Sequence, residues 1–289
     1  MIQEVAVNGL PGLKLSIDEE NSVTLTLFGA HVTSWVSGGE EQLFMSNSAV
    51  YNGVKAIRGG IPLVFPQFGR PLEAMAQHGF ARNSVWSKAA ETDSSLTMVL
   101  HDSENSRESF PYTFTLLYTV SLSQGELQLS ISAENPQHGS PFDCHMLLHT
   151  YFKCDTKCTV VRGFGGLTFQ DHLGEKAKGE NEGEENVIER EVDRHYKAYS
   201  GTVVIASTEN SKEISITTNA TLGTEAAPVD FPVDVVFWNA WVDKCKATAD
   251  LDDDAYQYYV CIEPGTIDQW VKVIPGATLT LTKTIRVKK

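Results

Sequence analysis

Apolar and polar residues alternate along much of this chain. The runs SVTLTL (22–27), SLTMVL (95–100), TFTLLYTVSL (113–122) and LQLSIS (127–132) set every second side chain on one face and are rich in β-branched and aromatic residues. That two-residue period belongs to half-buried β-strands. TVVIAS (202–207), EISITT (213–218) and ATLTLTKTIRV (277–287) continue it. The polar connections SQGE (123–126) and TENSKE (208–213) part neighbouring runs, so both pairs predict antiparallel hairpins. Long stretches with the three-to-four spacing of an amphipathic helix are missing. The expectation is an all-β fold, a large antiparallel β-sandwich with few short helices.

No Ser-, Pro- or Gly-rich linker divides the chain and no internal repeat is visible, so residues 1–289 are expected to form a single domain. The strongest compositional shift is GEKAKGENEGEENVIERE (174–191), which predicts a solvated, charged loop. The net charge of −14 at pH 7 argues against nucleic acid as a partner, because phosphate backbones select basic surfaces. It leaves room for a small phosphorylated ligand held by a few arginines. No apolar run is long enough to span a bilayer, and MIQEVAVNGLPG lacks a secretory pattern, so a cytoplasmic protein is expected. The five cysteines form no CxxC pair and read as reduced thiols.

Four stretches carry residues suited to chemistry. In FDCHMLLHTYF (142–152), a strand would put His145, Leu147 and His149 on one face. The two histidines would then lie roughly 13 Å apart at about 3.3 Å per residue, too far to chelate one ion. No metal is expected there, and a lone histidine reads better as a hydrogen-bonded core or rim residue; His149 rises above that reading because it ends an apolar strand beside aromatics, where a site could open. In YYVCIEPGT (258–266), Glu263 reads as the end of an apolar strand before a Pro-Gly turn. A partly desolvated carboxylate there would suit proton transfer, although a strand-end glutamate facing water is the commoner case. AQHGFARNSVW (76–86) gathers Gln77, His78 and Arg82, and EVDRHY (191–196) brings Asp193 beside the charged loop. AIRGGIPLVFPQFG (56–69) sets Arg58 in an apolar run broken by two glycines and two prolines, the pattern of a rigid loop holding one cation. There is no GxxxxGK[ST], GxGxxG or GxSxG pattern, so no nucleotide loop or serine elbow is expected.

The series VKAIRGGIPLVFPQFG, HGFARNSVW, HTYF, VFWNAW and CIEPG, in this order over residues 54–265, closely resembles the hexose-6-phosphate mutarotases (glucose-6-phosphate 1-epimerases) of the aldose-1-epimerase-like superfamily. The resemblance implies the galactose-mutarotase type of β-sandwich and interconversion of hexose 6-phosphate anomers without metal or cofactor. By motif, Glu263 matches the general base and His149 the general acid. Arg58, Gln77 and Arg82 match substrate-binding positions, Asp193 matches a sugar-binding aspartate, and His78 joins them from the same motif. A monomer is expected. Two other readings stay open at this level: a non-catalytic sugar-phosphate sensor on the same fold, and a glycoside hydrolase using Glu263 and Asp193 as paired carboxylates.

Overall fold

The computed structural model describes residues 1–173, 178–181 and 183–288. Among them, strands are gathered into sheets of five, ten and eight, with every neighbouring pair of strands antiparallel. Helix is limited to two short α-helices, Glu104–Ser109 and Trp241–Ala247, and three single 3-10 turns. None of these helices is long and apolar enough to cross a membrane.

The predicted strands are present, and their alternation explains the layering. In the ten-stranded sheet, Thr115–Ser123, Glu126–Glu134 and Thr278–Lys288 lie close together. Their buried positions, such as Leu116, Leu129 and Leu281, meet Met146, Leu148, Phe237 and Ile262 of the eight-stranded sheet in one core. Both expected hairpins form, Thr115–Ser123 with Glu126–Glu134 and Thr202–Ser207 with Glu213–Thr224.

The eight-stranded sheet sets Val192–Tyr196, Asp234–Asn239, Tyr259–Val273 and Phe142–Leu148 side by side. Side chains alternate across a strand, so the positions next to those core residues point away from the sandwich. This second face is covered by two smaller apolar clusters. One contains Tyr151, Tyr259 and Cys261, the other Val64, Leu147 and Val236, and Trp238 packs against both.

Three expectations change. Pro264 and Gly265 do not turn the chain: Tyr259–Val273 runs straight through them, with Val235 opposite Pro264 and both Leu147 and Asp234 opposite Gly265. Glycine is needed there for space, since a Cβ would lie 2.7 Å from both Leu147 Cβ and the Met146 carbonyl. The charged segment is more ordered than a solvated loop. Lys178–Glu180 and Asn186–Val187 are strands, and Asn181, Asn186 and Ile188 are buried, while residues 174–177 and 182 lie outside the described residues. Finally, Arg58 is not a lone cation, because Asp250 pairs with it at 3.1 Å.

The loop around Arg58 is fastened to the eight-stranded sheet. The amides of His145 and His149 donate to the carbonyls of Pro66 and Pro62, at 2.7 and 3.1 Å. Gly60, at φ +59°, lies so close to the strand before it that a Cβ would sit 2.2 Å from the Val32 carbonyl. The loop is held by its backbone, which leaves the Arg58 side chain to face the site.

Candidate active site

Parity along three strands decides which side chains meet. Val260 and Ile262 enter the core, so Tyr259, Cys261 and Glu263 point outward; Phe237 enters, so Val236 and Trp238 point outward; Val192 enters, so Asp193 does not. Beyond Phe142–Leu148 the same rule carries His149 outward. Of these, Glu263, Val236, Trp238, Asp193 and His149 line a cavity of about 330 Å³ together with Arg58, Gln77 and His78 from the loops. Larger grooves of about 500 and 590 Å³ lie elsewhere, but neither brings a buried histidine against a buried carboxyl.

His149 and Glu263 form the centre. Glu263 is only 2% exposed and His149 7%. His149 Nδ1 lies 3.3 Å from Glu263 Oε1, yet the two are not aligned as a hydrogen bond and Nδ1 has no hydrogen-bond partner. The imidazole is fixed by stacking on Tyr151, with centroids 4.7 Å apart and planes 2° from parallel, and by the edge of Trp238 at 5.8 Å. Burial, and then the charge of Asp193, push the Glu263 carboxyl well above the usual range, against the opposing pull of Lys283 and Arg82. Burial, then His78 and the nearby cations, push the His149 imidazole well below its usual value. At a pH between the two shifted values such a pair holds one proton between its members.

Cations flank one side of the pair. Arg58 Nε and Nη2 donate to the two Asp250 carboxylate oxygens at 3.1 and 3.4 Å, and Nη1 donates to the Tyr151 hydroxyl at 3.3 Å. A guanidinium has five N–H groups, so two remain for a ligand. Tyr151 and Asp250 both hold Arg58 protonated. Arg82 is placed differently from expectation: it does not line the cavity, and its Nη2 donates to the Gln77 carbonyl at 2.8 Å. Its Nε is buried without a partner. Burial and the neighbouring Arg58 push it down to about 10. His78 is neutral, pushed down to about 3 by burial and by Arg82 and Arg58, and its Nδ1 accepts from the Gly69 amide at 3.1 Å.

Asp193 sits across the cavity, 3.2 Å from His172 Nδ1 and 3.9 Å from Lys244 Nζ. Sequence reading missed His172, Lys244, Asp250 and Tyr151. Trp238 was visible only as part of a motif. For His172 and Asp250 no local signal exists, since their partners lie 21 and 192 residues away. His145 stays outside the cavity. Its ring stacks on Trp270 at 4.0 Å and its Nδ1 accepts from the Phe68 amide at 3.2 Å, the role of a satisfied rim histidine.

A metal would find different donors from the two histidines considered above. A His149 ring nitrogen, Cys261 Sγ and a Glu263 oxygen lie within 4.8 Å of one another, and these are zinc-ligand types. Burial and the Glu263 carboxyl both push the Cys261 thiol well up, which opposes the thiolate a metal needs. The buried Lys283 ammonium adds a positive charge alongside.

A buried carboxyl and imidazole in contact at the floor of a small polar cavity can pass protons to and from two oxygens of one small molecule. The aldose 1-epimerase family profile matches residues 13–286 of this chain. The chain belongs to the aldose 1-epimerase family. It is 33% identical over 263 residues to a Cenchrus ciliaris protein named "Putative glucose-6-phosphate 1-epimerase", covering 86% of this chain and 76% of that protein. A protein of the same name from Escherichia coli K12 is 30% identical over 278 residues, covering 92% and 87%. Among solved structures, the "putative mutarotase (YeaD)" of Salmonella typhimurium superposes with a TM-score of 0.86 at 26% identity, covering 100% of this chain and 94% of that one. As a member of the aldose 1-epimerase family the chain is a sugar isomerase on the galactose-mutarotase type of sandwich, and the sensor reading is not favoured.

Proposed function

We propose that the chain interconverts the α and β anomers of a hexose 6-phosphate, with Glu263 and His149 as the proton-transfer pair. Glu263 takes the proton of the C1 hydroxyl as the C1–O5 bond breaks and the C1 carbonyl forms. His149 gives its proton to the departing ring oxygen. Rotation about C1–C2 presents the other carbonyl face, and the same steps in reverse close the ring.

The electrostatics of the pair support this reading. While the sugar is open, Glu263 is protonated and His149 neutral. Burial favours that neutral state over the charge-separated one that begins and ends the cycle. The environment therefore stabilises the high-energy midpoint relative to the bound ring form, which is how a site lowers a barrier.

For the phosphate, the observation that carries the reading is Arg58, which lines the cavity with His149 and keeps two guanidinium N–H groups beyond those given to Asp250 and Tyr151. Arg82 adds a second positive charge near the pair without lining the cavity. Asp250 orients Arg58 without using its whole fork. Asp193, with His172 and Lys244, faces the sugar hydroxyls, and Trp238 offers a ring face for the pyranose. The names of the two curated relatives point to the same substrate.

Arg58→Ala separates the phosphate role from general damage. Loss of one charge-assisted phosphate contact is expected to lower kcat/KM for glucose 6-phosphate by about 10–100-fold, and for free glucose by far less. Equal losses on both sugars would remove the phosphate assignment.

A further inference from the structure

Alternation along Thr278–Lys288 puts Leu279, Leu281, Lys283 and Ile285 on one face, and that face is in the core. Lys283 is therefore a charged residue where the pattern calls for an aliphatic one, and it is 0% exposed. Among the described residues no carboxylate lies within ion-pair distance of its Nζ. The ammonium donates instead to Thr150 Oγ1 at 2.7 Å and to the Ile262 carbonyl at 2.8 Å, and it lies 4.8 Å from the centre of the Phe152 ring. Two oxygens and a ring face make a built cation site. A core would gain more from leucine unless the charge served something.

Its partners indicate what it serves. Thr150 follows His149 and Ile262 precedes Glu263. The Ile262 amide also donates to the Thr150 carbonyl at 3.3 Å, so one lysine from the opposite sheet bridges the Thr150 side chain and the Ile262 backbone where the two segments already bond, just behind the proton-transfer groups. The titratable groups that feel Lys283 are Glu263 and Cys261 on Tyr259–Val273 and His149 beyond Phe142–Leu148.

On the reading of the site given above, we propose that Lys283 is a positioning residue for the acid–base pair. From across the sandwich it ties the Thr150 hydroxyl to the Ile262 backbone carbonyl, one residue from each proton-transfer group. Its positive field favours ionised Glu263, offsetting part of what burial does, and disfavours the His149 imidazolium. Burial takes the ammonium pKa well below its ordinary value, against the opposing pull of Glu263 and Cys261.

The test is Lys283→Met, which keeps the length and removes the charge and both hydrogen bonds. With glucose 6-phosphate, the folded variant is expected to keep KM within about threefold and to lose roughly 10–100-fold in kcat. Both limbs of its pH–kcat profile should move to higher pH, because the lost cation had opposed protonation of both groups. A carbon-13 carboxyl titration of Glu263 reads the same shift without turnover, so it reports on Lys283 even if the wild type proved inactive on this sugar. A kcat within threefold of wild type, or a Glu263 midpoint that does not rise, would overturn the proposal. If Lys283→Met does not fold, Thr150→Val decides. It removes one partner and keeps the charge, so kcat must fall several-fold at constant KM, and an unchanged kcat overturns the brace.

Discussion

Replacing Glu263 with glutamine removes one proton-accepting oxygen and little else. The side chain is fully enclosed, so an amide of nearly the same shape preserves packing against Val236 and the approach to His149. The loss should therefore fall on the chemical step. Positioned general acid–base groups contribute about 10²–10⁴-fold, which corresponds to roughly 2.7–5.4 kcal/mol of barrier at 1.36 kcal/mol per decade. We expect the upper part of that range, because among the described residues the other carboxylate lining the cavity, Asp193, is engaged with His172 and Lys244. KM for glucose 6-phosphate should stay within about threefold, since the proposed phosphate and sugar contacts are elsewhere. Stability gives an internal control with a definite sign. The folded carboxyl is raised above its unfolded value, so its contribution is most favourable below the unfolded pKa and is lost as pH rises through the folded one. Glu263→Gln removes that dependence, and its melting temperature relative to wild type should climb from acid to alkaline pH. The assay is anomer exchange at saturating substrate, with thermal melts across pH. A kcat within tenfold of wild type would refute the base assignment. A large loss of kcat accompanied by a lower melting temperature throughout would show that the change acts through folding.

Further outcomes follow from the same geometry. The wild-type pH–kcat profile should be a broad plateau, since activity needs one proton on the pair. Its acid limb should lie below the ordinary imidazole value, where the pair gains a second proton, and its alkaline limb above the ordinary carboxylate value, where it loses the last. An acid limb at or above the ordinary imidazole value, or an alkaline limb at or below the ordinary carboxylate value, would contradict the burial argument. Gly265→Ala forces a methyl to within 2.7 Å of Leu147 Cβ and the Met146 carbonyl, so denaturant unfolding should show a loss of about 1–3 kcal/mol. An unaffected midpoint would mean that the two strands separate there without cost.

Much of the site was legible because strand parity is. Once 142–152 and 258–266 are read as strands, alternation places His149 and Glu263 on exposed-side positions, opposite Leu148 and Ile262. Pairing was not legible. The Pro-Gly step after Glu263 carries a strong local turn signal, yet Gly265 lies between two bonded neighbours and serves close packing. Arg58 was visible as an isolated charge, but Asp250 sits in an acidic run with nothing local to single it out. Lys283 stood in the open, since TLTLTKTIRV puts it in phase with Leu279 and Leu281. Its meaning depends on Thr150 and Ile262 arriving from the other sheet.

The proposed function requires turnover of a phosphorylated sugar at the His149–Glu263 pair. Magnetisation-transfer NMR of glucose 6-phosphate, with free glucose as the comparison, measures anomer exchange with and without the protein. The proposed function requires strong acceleration for the phosphate ester and much less for glucose. Tight binding of the ester without any acceleration would contradict it.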